Sequence, residues 1–475
     1  MRNKIRQFGL VAVGLVAGTL LALNLPAVAQ REAKSPLPVE ELRQFSEVFS
    51  AIKSAYVEPV EDKKLITEAI NGMLSGLDPH SAYLDADGFK ELTIATQGEF
   101  GGLGIEVGVE DGFVKVITPI DDTPAARAGI RSGDVIVKID STSARGMTLE
   151  DAVKRMRGKP HTNIVLELVR KGEAKPIVVT LTRATIKVQS VRSKMIEPGY
   201  GYVRVSQFQE PTVEMLAKQL EALYKNGPLK GLVLDLRNDP GGLLNGAIGV
   251  SAAFLPANSL VVSTDGRTDD AKHKFFATAE DYLRGTREDY LKNLPPGVKT
   301  VPMTVLVNDA TASASEIVAG ALQDYKRAIV MGNQTFGKGS VQTIIPLGNN
   351  SAIKLTTARY YTPGGRSIQA RGIVPDISVD DPNGPGPSGR IHEADLEKHL
   401  INEKDAEAPS APPAIPPAPP KPESKAAPAP PHAIQQTPVT PSVPHAPVEF
   451  GSKDDYVMTQ AVNLLKGLDI VQKRQ

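Results

Sequence analysis

The chain contains no cysteine, which removes disulfide bonds, thiolate metal sites and a cysteine nucleophile from consideration together. Any covalent catalysis must use another side chain. Net charge is also missing: 54 basic residues balance 54 acidic ones, so no global field draws the protein to nucleic acid or to an anionic membrane surface. Among the seven histidines there is no His-Glu-x-x-His spacing, which leaves metal-assisted hydrolysis without its ligands, and no glycine run has the Walker spacing of a phosphate loop. The sequence asks for no cofactor.

What is present suffices for a large folded protein. With 475 residues, 41% of them hydrophobic, the chain can bury a sizeable core spread over about two or three domains. Residues 1–29 read as a signal peptide. Arg2, Lys4 and Arg6 precede an apolar run from Phe8 to Leu23, and Ala27-Val28-Ala29 offers a small-residue cleavage pattern. Export to the periplasm is the expectation, with an uncleaved segment as the one route to inner-membrane association. Residues 36–96 form a helical arm: Leu42, Phe45, Val48, Phe49 and Ile52 recur at helical spacing, as do Leu65, Ile66, Ile70, Met73 and Leu74. His80, in the turn after them, reads as a structural hydrogen-bonding residue. Residues 381–450 read as a linker, because 409–447 hold fifteen of the 38 prolines and no apolar periodicity. In 451–475 helical spacing returns at Tyr456, Val457, Ala461, Leu464 and Leu465. The helical arm and this last helix suggest self-association or an adaptor protein.

Between 97 and 184 short strands prevail, such as Phe113 to Ile117 and Ile164 to Val169, with helical patterns at Pro124 to Ala128 and Leu149 to Met156. The Gly101-Gly102-Leu103-Gly104-Ile105 turn, followed by Thr123 to Ile130 and Gly133-Asp134-Val135-Ile136, resembles a PDZ domain of the bacterial protease type. Gly102, Leu103, Gly104 and Ile105 then become the candidate peptide-binding residues. A glycine-rich turn frees backbone N–H groups for a terminal carboxylate, and the strand from Ile105 offers an edge to an added peptide.

Residues 185–380 alternate buried-type strands (Gly231 to Leu236, Met303 to Val307) with helical stretches, the pattern of an α/β domain. The segment Asn308 to Leu322 leaves a buried strand and opens a helix. Small residues around Ser313 admit a substrate backbone, and the helix N-terminus supplies unpaired N–H groups where negative charge would develop. Ser315, with Glu316 behind it, also fits a helix cap. Lys338 lies between Gly337 and Gly339 beside Phe336, where apolar neighbours can desolvate it. A lysine of ordinary pKa near 10.4 needs a lowering of roughly 3 units to act as a base near neutrality. Gln342, four residues on, can orient that amine without adding charge.

Thr311-Ala312-Ser313-Ala314-Ser315-Glu316 with Phe336-Gly337-Lys338-Gly339 and Gln342 resembles the Ser-Lys signature of the C-terminal processing (tail-specific) peptidases. The resemblance extends to Leu77 to Leu84, Asp235 to Leu243, Gly364 to Gln369 and Gly372 to Asp376, so it spans roughly 38–380. It implies Ser313 as nucleophile, 25 residues before Lys338 as base, with Gln342 as orienting partner. It further implies an oxyanion hole made by the amide of Ala314 and a glycine amide, Gly241 or Gly242. The implied fold is a mixed α/β core of the Clp protease and crotonase type with an inserted PDZ domain. The implied activity is endopeptidase cleavage of protein substrates met through their C-terminal tails. Asp235 and Asp239 receive no catalytic role, and His273 is the single histidine worth testing for a Ser-His-Asp alternative. If PDZ position or assembly controls the site, a resting form can hold Ser313 and Lys338 apart.

Overall fold

The computed structural model describes residues 37–402 and 450–473, apart from 111, 121, 174, 286–287 and 383–389. The signal segment and most of the proline-rich stretch lie outside the described residues. Two compact units divide at Gly72/Met73. The first holds the helix Val39–Ala55, opened by Pro38, with Glu40 and Glu41 at its positive end and Lys53 in its last turn. Leu42, Phe45, Val48 and Ile52 all stand exposed on it. No described helix is long and apolar enough to cross a membrane.

The second unit begins in the helix Asp62–Ser75 and turns at Asp78, whose carboxylate accepts the amides of His80 (2.8 Å) and Ser81 (2.9 Å) and the Ser81 hydroxyl (2.7 Å). Asp85 caps the helix Ala86–Gln97 through the Gly88 amide, and Gly98 ends it at φ 68°, the left-handed conformation that glycine adopts without cost. The strands Glu99–Gly102 and Ala184–Lys187 then pair antiparallel. They bracket a six-stranded antiparallel sheet with its own core of Val114, Val116, Ile136, Ile164, Leu166 and Leu168. Its edge strand is Ile105–Glu110, which touches the helix Leu149–Met156.

The larger core is built on a second six-stranded sheet, in the order Val191–Glu197, Tyr200–Val205, Gly231–Asp235, Met303–Val307, Ile329–Gly332, Ile377–Ser378. The pairings are parallel from Tyr200–Val205 onward. Gly231–Asp235 and Met303–Val307 are buried at every position, as strands covered on both faces must be. Alternate residues serve opposite layers. Leu232, Leu234, Val305 and Val307 face the helices Thr212–Tyr224, Leu244–Phe254 and Ala314–Asp324. Tyr202, Val233, Leu306 and Met331 meet Val457, Met458, Ala461, Val462 and Leu465 of the helix Tyr456–Gln472. A five-stranded antiparallel sheet containing Ala82–Leu84, Ser340–Pro346 and Ala352–Tyr361 completes the unit.

One expectation needs correction. The stretch 381–450 is not linker throughout, because residues 390–402 pack on the core: Glu393 and Asn402 are each 1% exposed. Polar composition hides this segment, which is held by hydrogen bonds rather than by an apolar stripe.

Candidate active site

The turn that carries Ser313 is set by the ends of two adjacent parallel strands. Thr311 Oγ1 donates to the Leu236 carbonyl (2.8 Å), and Asn308 Nδ2 donates to Asn238 Oδ1 (2.8 Å), so the loops after Asp235 and Val307 are stitched together. The Asp239 carbonyl accepts both the Ala312 amide and the Ser315 hydroxyl, each at 3.0 Å. Ser315 is therefore a brace inside the helix, and the cap position belongs to Ser313. Ser313 adopts φ 58°, a conformation L-residues occupy at a cost of about 1–3 kcal/mol and retain where the surroundings enforce it, commonly at active sites. Tyr360 is buried nearby, and burial pushes the ionisation of its phenol up to about 12 while the Ser313 side chain pulls the other way.

Glu316 organises the site from within. Its carboxylate is fully buried and accepts four donors: the amides of Ser313 (2.7 Å), Gly337 (2.7 Å) and Lys338 (2.9 Å), and the Thr335 hydroxyl. Burial raises its pKa to about 7 against the pull of those four bonds. Lys338 thus sits on a loop fastened to the first turn of the helix that Ser313 caps. Burial, then the charge of Lys354, holds the Lys338 pKa below that of an ordinary lysine, while Glu393, Glu316 and Asp78 pull the other way. Among the described residues no hydrogen bond joins Ser313 Oγ to Lys338 Nζ. Gln342 Nε2 donates to Ser340 Oγ (2.9 Å) and Thr356 Oγ1 (3.3 Å) rather than touching the lysine. Its amide oxygen remains as the end that can accept from an ammonium.

The two glycine candidates separate clearly. Gly241 donates its amide to Asp239 Oδ1 at 2.8 Å, and a Cβ on it would lie 2.7 Å from the Ala312 carbonyl oxygen and 2.8 Å from both Ala314 N and Ser313 Cβ. Its role is close approach. Around Gly242 the neighbouring bonds run through Gly241 O and Leu243 N to Phe208, and the amides of Gly242 and Ala314 make no hydrogen bond among the described residues. Backbone amides left unpaired in this way can stabilise a developing oxyanion.

The other expected residues fall as follows. Gly102, Leu103, Gly104 and Ile105 lie together where the edge strand begins, and Gly104 takes φ 75° with Thr123 packed against it. His80 is a structural hydrogen bonder, with Nε2 2.8 Å from Glu393. His273 is exposed, with Nε2 on the Asp270 carbonyl. Asp235 is a buried partner of Arg237 and Arg204. Sequence reasoning missed the linking role of Glu316, although a Ser-x-x-Glu spacing at a helix start is a capping-box signal that finds it. It also missed Tyr360, Gln369 and Glu393, which carry no local signature.

Comparison with known proteins agrees with this architecture. Residues 199–379 match the model of peptidase family S41, residues 116–170 a PDZ domain, and residues 19–88 the N-terminal domain of the activating protease CtpB. A carboxy-terminal-processing protease of Bartonella bacilliformis is 44% identical over 403 residues, covering 83% of this chain and 89% of that protein. The carboxy-terminal processing protease CtpA of Bacillus subtilis is 33% identical over 388 residues, 81% of this chain and 79% of that one. Among solved structures, the photosystem II D1 C-terminal processing protease is 29% identical, covers 75% of this chain and 98% of its own, and has a TM-score of 0.41. With its mixed α/β core, its PDZ domain and its similarity over most of its length, this chain belongs to the carboxy-terminal processing proteases, serine peptidases of family S41.

Proposed function

We propose that the protein is an exported endopeptidase that cuts protein substrates at or near their C-terminal tails through a Ser313-Lys338 dyad assisted by Gln342. Neutral Lys338 takes the proton of Ser313, and the Ser313 oxygen attacks the scissile carbonyl carbon. The oxyanion accepts hydrogen bonds from the amides of Gly242 and Ala314. Collapse expels the amine, which receives the proton held by Lys338. Water, giving a proton to Lys338, then attacks the acyl carbon, and the Ser313 oxygen leaves with that proton as the acid is released. On this reading the Ser313 hydroxyl must come within hydrogen-bond reach of Lys338 for reaction, and the edge strand beginning at Ile105 holds the substrate tail. The signal-like segment supports action in the periplasm, and protein tails are the partners; a second copy or an adaptor would engage the helical ends.

The observation that carries this reading is the carboxylate of Glu316, which gathers the Ser313 and Lys338 backbones onto one oxygen atom. The test is cleavage of an unstructured protein by the mature chain, beside Ser313→Ala and Lys338→Ala, with substrates differing only in their last residues. Both variants should lose cleavage, and wild-type rates should follow the tail sequence. Wild-type rates in either variant would reject the dyad, and equal cleavage of all tails would reject the PDZ role.

A further inference from the structure

Residues 390–402 follow the S41-matching region and meet the Lys338 loop from the side opposite Glu316 in the hydrogen-bond network. The Glu393 amide donates to the Phe336 carbonyl (2.8 Å). Its side chain, 1% exposed, accepts from Gln369 Nε2 through Oε1 (3.0 Å) and lies 2.8 Å from His80 Nε2 through Oε2. Gln369 in turn accepts the Gly339 amide on its own Oε1 (3.1 Å), and Asn402 Nδ2 donates to the Gln369 carbonyl (2.7 Å). His392 adds a contact from Nδ1 to the Thr335 carbonyl (3.2 Å). The lysine loop is thus gripped at Gly337 and Lys338 by Glu316, and at Phe336 and Gly339 by Glu393 and Gln369.

A buried carboxylate is retained only where it is paired and hydrogen-bonded. Glu393 finds its partners on a turn 313 residues earlier and on a loop 24 residues earlier, so it draws three segments together around the loop. We infer that Glu393 is a positioning residue for catalysis, its side chain wedged between His80 and Gln369 and its amide fixed on Phe336, so that residues 390–402 act as a latch presenting Lys338 to Ser313. This rests on Lys338 being the general base. The charged groups facing Lys338 are Lys354 on one strand, Glu316 on the nucleophile helix, Asp78 in the turn and Glu393 on the latch. Of these, Glu393 is an anion that favours the ammonium, so its neutralisation carries a signature that simple loosening does not.

The experiment compares full-length wild type, Glu393→Gln, Gln369→Ala and Lys338→Ala on an unstructured protein substrate, reading kcat, KM and the pH dependence of kcat/KM. Glu393→Gln should lower kcat about tenfold with KM little changed, the scale expected when one charged buried hydrogen-bond set is broken. Its ascending pH limb should move to lower pH by roughly half a unit, because an opposite charge is lost near the lysine. Gln369→Ala should lower kcat similarly and leave the pH limb in place, and it carries the kinetic test if Glu393→Gln does not fold. Wild-type kcat in both variants, with Lys338→Ala inactive, overturns the latch. Wild-type activity in Lys338→Ala overturns instead the assignment of the base.

Discussion

Ser313 and Lys338 donate their backbone amides to the same atom, Oε2 of Glu316, at 2.7 Å and 2.9 Å. The two residues belong to different loops and make no direct hydrogen bond, so this shared acceptor ties together the proposed nucleophile and base. Replacing Glu316 with alanine strands three amides and a hydroxyl in a buried site, each loss worth about 1–3 kcal/mol at most and not additive. Glu316→Ala should therefore lower kcat by about a hundredfold, the scale of a misplaced reacting pair. Glu316→Gln should recover only part of that, since its amide nitrogen cannot accept. Steady-state kinetics with an unstructured substrate, beside thermal unfolding, separates lost alignment from lost folding. Wild-type kcat in Glu316→Ala contradicts the argument.

Lys354 repels the protonated form of Lys338 and adds to the effect of burial. Both influences lower the Lys338 pKa, and with Lys338 as the proposed base the rate should rise with pH as it loses its proton. In Lys354→Met the repulsion is gone, so the Lys338 pKa goes up and the ascending limb of kcat/KM moves to higher pH, by roughly half a unit. The plateau rate should stay near wild type. A limb that stays in place would show that burial alone tunes the base.

Gly241 packs its backbone closely against the turn that carries Ser313. With φ at 93° and three atoms of Ala312, Ser313 and Ala314 within 2.8 Å of any Cβ, even a methyl group must displace the loop. Gly241→Ala should cost about 1–3 kcal/mol of stability through overpacking. With Gly242 as an oxyanion donor, as proposed, activity should fall about a hundredfold because its amide is displaced along with the loop. Both are measurable by denaturant unfolding and by turnover at saturating substrate.

Asp239 lies within that same loop, fully buried, with its Oδ2 lacking a partner among the described residues and its pKa raised by burial to about 7. A folded-state pKa above that of the unfolded acid, 3.8, means that the folded chain holds the proton more tightly. The resulting stability is fully present below pH 3.8 and is lost as pH rises through about 7, a change of a few kcal/mol at most. Asp239→Asn keeps an oxygen for the Gly241 amide and removes the ionisation. Its unfolding free energy should decline less than that of wild type between pH 4 and pH 8. Parallel curves for the two proteins would assign the proton elsewhere.

The parts legible in sequence are those where chemistry and local pattern coincide. Ser313 at the head of a helix after a buried strand, Lys338 between glycines, and the alternating strands from Phe113 to Val169 all announce themselves within a dozen residues. What remained hidden is long-range polar pairing. Glu393 looks like any charged residue beside a proline-rich stretch, and its burial follows only once His80 and Gln369 are folded around it. The same limit applies to Gln342, whose spacing from Lys338 suggested a direct bond but whose amide nitrogen turns to Ser340 and Thr356.

The C-terminal helix provides the last prediction. Tyr456–Gln472 buries Val457, Met458, Ala461, Val462 and Leu465 on one face of the core sheet, and Asp455 at its cap pairs with Arg237, which also holds Asp235 at the strand end leading to Gly241. Asp455 makes two bonds with that guanidinium, at 3.0 Å and 2.6 Å, in a site where Arg237 is largely buried. Removing residues 450–475 exposes Tyr202, Val233, Leu306 and Met331, and each such large side chain returned to water costs about 1.5–3 kcal/mol. The truncated chain should aggregate or melt far below the full protein. Asp455→Ala leaves the apolar face intact but strips Arg237 of one partner, so it should destabilise more mildly, by about 1–3 kcal/mol. If the helix only covers the sheet, Asp455→Ala retains wild-type kcat. If its cap also steadies the loop before Gly241, kcat falls while KM holds, and adding the 450–475 peptide in trans to the truncated chain restores stability and turnover together.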